Sequence, residues 1–158
     1  MEFTITSSAF EDGRAIPATY TCDDVDVSPK LDWDGVPEGT ESFALIVDDP
    51  DAPDPAAPKM IWVHWVLYNI PAATNGLPEG TTSADLPAGT LDGLNDWKET
   101  GYRGPCPPIG RHRYYHKLYA LDTLLPDLGL TSKPELLAAM EGHVLAEAVT
   151  MGTYQRPS

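Results

Sequence analysis

Residues 101–115 read GYRGPCPPIGRHRYY, from Gly101 to Tyr115. The prolines at 105, 107 and 108 lack N–H donors and fix φ near −65°, so this run is neither a helix nor a central strand. It must be a shaped loop. Arg111, His112 and Arg113 then lead into Tyr114-Tyr115-His116-Lys117-Leu118-Tyr119-Ala120-Leu121, an aromatic-rich run that reads as a strand. A rigid loop pinned to a strand end is a common place for a binding site. Four of the ten lysines and arginines, Arg103, Arg111, Arg113 and Lys117, fall within fifteen residues here, and the island reads as a holder of anions.

The rest of the chain is acidic. Residues 1–54 hold 14 of the 24 aspartates and glutamates against only Arg14 and Lys30, and the whole carries a net charge of −14. Such a field repels phosphate backbones, which argues against general nucleic-acid binding. The acid excess also suits a surface adapted to high salt. With 158 residues and 42% hydrophobic content, residues 1–158 are expected to form a single domain with one core. No apolar run approaches the ~20 residues of a membrane helix. No export segment is recognisable at the N-terminus, so a cytoplasmic location is expected. Cys22 and Cys106 match no zinc spacing and read as reduced thiols, with a single disulfide as the alternative.

Sixteen prolines and thirteen glycines divide the sequence into short segments rich in Val, Ile, Tyr, Trp and Phe, the texture of a β domain. Strands are expected at Phe3 to Thr6, Lys30 to Trp33, Ser42 to Val47, Trp62 to Ile70, His116 to Leu121 and Leu145 to Tyr154. The third and fourth are continuous apolar runs, suited to strands buried on both faces. One helix is clear: Ser132-Lys133-Pro134-Glu135 matches a capping box, Leu136, Leu137 and Met140 supply its apolar stripe, and Gly142 ends it. Pro71 to Glu99 reads as a long surface excursion of the kind that often serves function.

Two further pieces could carry chemistry. Asp48-Asp49-Pro50-Asp51-Ala52-Pro53 closes one strand, and His64 sits between Val63 and Trp65 inside the next. The aspartates suit turn capping, and the absence of a distal glutamate defeats a calcium-loop template. A buried imidazole needs partners, and Asp49 or Asp51 from the adjacent strand end is placed to orient His64.

Together, DDPDAP, the WVHW segment and GPCPPIGRHRY closely resemble the signatures of the phosphatidylethanolamine-binding protein family, also called Raf kinase inhibitor-like proteins. The likeness runs from Phe10-Glu11-Asp12-Gly13 to Gly152-Thr153-Tyr154, and the GPCPP form of the loop is similar to the bacterial and archaeal branch. The resemblance implies a mainly β fold, an antiparallel β-sandwich with short flanking helices. It also implies a small anion pocket formed by Asp49, Asp51 and His64 on one wall and Pro105, His112 and Tyr114 on the other. The implied partner is a phosphate-bearing small molecule or lipid head group, with His112 and Tyr114 donating hydrogen bonds. One or more prolyl bonds, Ala52-Pro53 among them, are expected to be cis. A protein partner and a homodimer through an exposed sheet face follow from the same analogy. Cys106 stands where animal members have proline, so lipid preference and kinase inhibition do not transfer with the fold.

Other readings compete. A hydrolase would need a nucleophile; there is no Gly-x-Ser-x-Gly elbow, and Cys106 beside Arg103, Arg111 and His112 is the one candidate. A mixed N/O metal site from Asp49, Asp51, His64 and His112 is chemically conceivable, but neither a metal nor a cofactor is expected, and no nucleotide fingerprint is present. A regulatory module that reads phosphorylated side chains is compatible with the same pocket.

Overall fold

The computed structural model describes residues 2–157. In chain order the elements are β1 (Thr4–Thr6), β2 (Leu31–Asp34), β3 (Ser42–Ala52), β4 (Met60–Pro71), β5 (Gly76–Leu77), β6 (Leu91–Asp92), β7 (His112–Leu121), α1 (Lys133–Met140) and β8 (Val144–Tyr154). They form two antiparallel sheets, a small one ordered β1-β2-β5 and a large one ordered β6-β4-β3-β7-β8. No helix among the described residues is long and apolar enough to cross a membrane.

The apolar runs of β3 and β4 have their physical reason in the layering. Alternate residues of a strand point to opposite faces, and both faces of the large sheet are covered. Phe43, Leu45, Val47, Trp65, Leu67, Leu118 and Ala120 pack against Ile5, Leu31, Trp33 and Leu77 of the small sheet. On the other face Ala44, Ile46, Val66, Tyr68, Tyr119 and Leu121 meet Leu136 and Met140 of α1. A third cluster, Phe10, Ile16, Tyr114 and Tyr154, closes the end of the sandwich near the 101–115 loop.

The helix begins as its sequence dictates: Ser132 Oγ accepts from the Glu135 N–H, and Glu135 Oε1 accepts from the Ser132 N–H. Leu137, expected in its apolar stripe, is exposed instead; Leu136 and Met140 face the sheet, with half-buried Ala139 packed beside them. Eight residues make little more than two turns, too few to bury a broader face.

A change of register on β4 sets up the functional end. Val47 pairs with Trp65 and Asp48 with Val63, so one step on β3 is matched by two on β4. The extra residue is His64. A bulge of this kind re-aims a side chain, and here it lets both His64 and Trp65 lie on the inner side of the sheet while Val63 and Val66 pack toward α1.

Candidate functional site

Between the ends of β3, β4 and β7 and the proline loop lies a cavity of about 310 Å³. Its walls include Asp49, Pro53, Met60, Trp62, His64, Trp97, Pro107, Pro108, His112 and Tyr114, with Ala52 and Cys106 completing them. Of the six residues expected at the site, four are brought together: Asp49, His64, His112 and Tyr114.

Asp51 and Pro105 do other work. Asp51 turns to Arg113, whose Nη2 and Nε donate to its two carboxylate oxygens at 2.8 and 3.0 Å and whose backbone N–H adds a third bond. This ion pair holds the Asp51 carboxyl below the usual range and engages both of its oxygens. Pro105 is buried behind the cavity wall, where its carbonyl accepts from the Cys22 N–H at 3.1 Å.

The cysteines are not reduced thiols. Cys22 and Cys106 form a disulfide with Cα atoms 5.4 Å apart. Residues 84 apart in sequence meet because the 20–26 segment lies along the 102–106 segment. Tyr102 Oη donates to the Tyr20 carbonyl at 2.7 Å, and the Gly104 N–H donates to Asp26 Oδ1 at 2.8 Å. A Cβ on Gly104 would sit 2.0 Å from the Tyr20 carbonyl oxygen, so only glycine permits this approach. Spacing alone carried no sign of the pairing.

His112 is held on both sides. Its Nε2–H donates to the Ile109 carbonyl at 2.8 Å, because a carbonyl can only accept. Its Nδ1 lies 2.6 Å from Asp49 Oδ2, and Asp49 Oδ1 accepts from the Asp51 N–H at 2.7 Å. Burial pushes the Asp49 carboxyl above its ordinary range, opposed by the hydrogen bond from His112. One proton is therefore shared along Nδ1···Oδ2, and neither ring nitrogen of His112 is left for a ligand. The expected role of His112 as a direct donor is corrected: it ties the proline loop to β3.

His64 is not oriented by an aspartate either. Its Nδ1–H donates to the Arg103 carbonyl at 2.6 Å, while the Arg103 N–H returns a bond to the His64 carbonyl at 3.2 Å. Burial pushes its pKa down to about 4, against the Arg103 carbonyl, which raises it. The ring is neutral near pH 7, with a lone pair on Nε2. Tyr114 is almost fully buried, and its hydroxyl has no hydrogen-bond partner among the described residues. Burial first, and then the nearby Asp49 carboxylate, raise its pKa, so it stays a phenol and a donor. The rings of His64 and Tyr114 stand edge to face with centroids 5.2 Å apart.

The basic island is largely neutralised. Arg113 is paired with Asp51, Arg103 with Glu99 at 2.8 Å, and Lys117 shares buried Asp48 with Lys133. Acidic partners from other elements, invisible in a linear count, cancel most of the charge read from the loop.

Trp62 and Trp97 are wall residues that sequence reasoning did not single out. Their rings cross at 90° with centroids 5.5 Å apart, and Trp97 meets His64 at 5.1 Å. Trp97 is set by buried Asn95, whose Oδ1 accepts from the Trp97 and Glu99 N–H groups at 3.0 and 3.2 Å. An Asn that organises its own following turn is the signal that was available. Trp97 lies within the long excursion expected to be functional. The Ala52-Pro53 bond at the rim is cis, as the resemblance implied.

Residues 6–155 match the family profile described as phosphatidylethanolamine-binding protein. A UPF0098 protein of Methanothermobacter thermautotrophicus is 51% identical over 153 residues, 96% of this chain and 98% of that protein. Among solved structures, a phosphatidylethanolamine-binding protein homologue from Chlamydia trachomatis superposes with a TM-score of 0.89 at 42% identity, covering 98% of each chain. YbcL of E. coli, described as a member of the mammalian PEBP family, gives 0.89 at 34% identity, covering 99% of this chain and 100% of its own. With the two-sheet fold and the loop motifs in their places, the chain belongs to the phosphatidylethanolamine-binding protein family.

Proposed function

We propose that this protein reversibly binds a small phosphate-bearing ligand, a phosphorylated small molecule, head group or side chain, and does not turn it over. The observation that carries the reading is the Tyr114 hydroxyl: a buried donor with no hydrogen-bond partner among the described residues, in the wall of a cavity lined by prolines. A buried polar group left unpaired is costly, and a ligand oxygen is the partner that relieves it. Rigid walls lower the ordering cost of binding. The family's name, with its phosphate-containing head group, agrees in chemistry. The one candidate nucleophile of a hydrolytic reading, Cys106, is held in a disulfide and is no thiolate in this state.

The test is an NMR titration with O-phosphoethanolamine. Saturable shifts confined to the His64 ring, the Trp97 indole and the amides of residues 101–116 are expected. Signals there that stay still to high ligand concentration would sink the proposal.

A further inference from the structure

The cavity's donors and acceptors speak to the protonation state of what it holds. No lysine or arginine among the described residues lines it. The charged and titratable groups around His64 are Asp48 and Asp49 from β3, His112, Tyr114 and His116 from β7, and Arg103 from the loop. Arg103 is paired with Glu99 and stacked over Trp97, with its guanidinium carbon 5.3 Å from the ring centroid; Asp48 is paired with two lysines. Both Asp49 oxygens are engaged by His112 and the Asp51 N–H. Among its side chains the cavity, lined also by the indoles of Trp62 and Trp97, therefore presents the Tyr114 hydroxyl as a donor and one acceptor not already engaged, the imidazole lone pair on His64 Nε2.

A phosphate dianion suits this poorly. Its oxygens are all acceptors, so one would face the His64 lone pair, and no lysine or arginine among the described residues lines the wall to offset its second charge. A singly protonated phosphate ester has both an O–H to give and oxygens to receive. Resting on the phosphate-binding reading above, we propose that the cavity selects the monoanionic, singly protonated form of a phosphate monoester, its P–OH donating to His64 Nε2 and a bare oxygen accepting from Tyr114 Oη. His64 then acts as a specificity-determining acceptor. It can do so because Arg103 fixes Nδ1 as the protonated nitrogen, and burial keeps the ring neutral down to about pH 4.

The experiment compares methyl phosphate with methyl sulfate on the unmodified protein, by NMR titration between pH 5.5 and 8.5. Methyl phosphate loses its second proton near pH 6; methyl sulfate has similar shape, one charge throughout and no proton to give. Methyl phosphate affinity is expected to level off at the acid end and to fall by up to about tenfold per pH unit above the second pKa, as the monoanion is depleted. Methyl sulfate is expected to bind at least about tenfold more weakly at pH 5.5, the loss of a charge-assisted hydrogen bond, with no comparable fall up to pH 8.5. Methyl phosphate affinity that holds or rises from pH 6 to 8, or equal affinity for the two probes at pH 5.5, overturns the selectivity while leaving phosphate binding intact. Failure of both probes to move the cavity signals at any pH overturns the binding reading itself. His64→Leu should erase the difference between the probes; if that variant does not fold, the two probes on the unmodified chain still decide.

Discussion

His112 Nδ1 and Asp49 Oδ2 lie 2.6 Å apart with both side chains almost completely buried, and the opposite ring nitrogen of His112 is tied to the Ile109 carbonyl. The pair is a strut between β3 and the proline loop. A ligand sees its consequence, the position of the loop, more than its atoms.

It follows that His112→Ala is chiefly a stability variant. It leaves a buried carboxyl and a carbonyl without their partner, and removal of one member of a buried pair costs about 3 kcal/mol or more. Urea denaturation should show that loss. Undiminished stability together with abolished ligand binding would return His112 to the role of direct donor.

Tyr114→Phe should behave in the opposite way. The hydroxyl has no hydrogen-bond partner among the described residues, so its removal should leave stability unchanged or slightly raised. Binding of a phosphate ester should weaken by about 1.5–3 kcal/mol, the worth of a hydrogen bond to a charged group. The two readouts, a melting curve and an NMR titration, separate the outcomes. Affinity equal to that of the parent would place the ligand elsewhere.

Acid should unfold this protein through two histidines. His64 and His116 are buried, and burial pushes each pKa from 6.5 down to about 4. On unfolding each binds a proton, so stability is full above about pH 6.5 and falls toward pH 4, by about 1.4 kcal/mol per pH unit for each ring. Asp49, raised by burial, opposes the trend, since its folded form holds a proton that the unfolded chain releases. His116 makes one weak bond among the described residues, from Nδ1 to the Tyr114 carbonyl at 3.3 Å; Nε2 has no partner among them, and the Phe10 ring lies 5.3 Å away. His116→Phe should therefore fold and reduce the pH slope by one proton, measured as the difference in denaturation free energy between pH 5 and 6.5. An unchanged slope would show that His116 is not one of the groups responsible.

Breaking the Cys22–Cys106 link should cost roughly 2–5 kcal/mol, because it closes a long loop whose ends lie 84 positions apart in sequence. Paired Cys22→Ala and Cys106→Ala substitutions, or reduction, should lower the denaturation midpoint. The hydrogen bonds from Tyr102 and Gly104 to the 20–26 segment remain, so some loop order should survive as amide protection at Gly104. A midpoint unmoved by reduction would mean that the link adds nothing to the folded state.

Much of the fold was legible because local rules and the global layering agree. The apolar runs at Ser42–Val47 and Trp62–Ile70 could only be strands covered on both faces, and the Ser132–Glu135 box could only start a helix. Asp49, His64, His112 and Tyr114 were legible as cavity residues because they sit in short motifs that the family resemblance places at one end of the sandwich. Their hydrogen-bond roles were not. Asp51 and Arg113 find each other across two strands, and so do Asp49 and His112. Each pairing engages a group that a linear reading left open to a ligand.

The sequence by itself determined the β architecture, the helix and its cap, the rigid loop and the residue types gathered at its end, since these follow from propensity, period and proline geometry. Tertiary structure alone decided which charges survive, which ring nitrogens are free and which cysteines meet. Most of these depend on distances between residues remote in sequence, 39 positions apart for His64 and Arg103, 62 and 63 for the Asp51–Arg113 and Asp49–His112 pairs and 84 for the cysteines. Electrostatics and hydrogen bonding are settled by such distances, and no spacing along the chain encodes them.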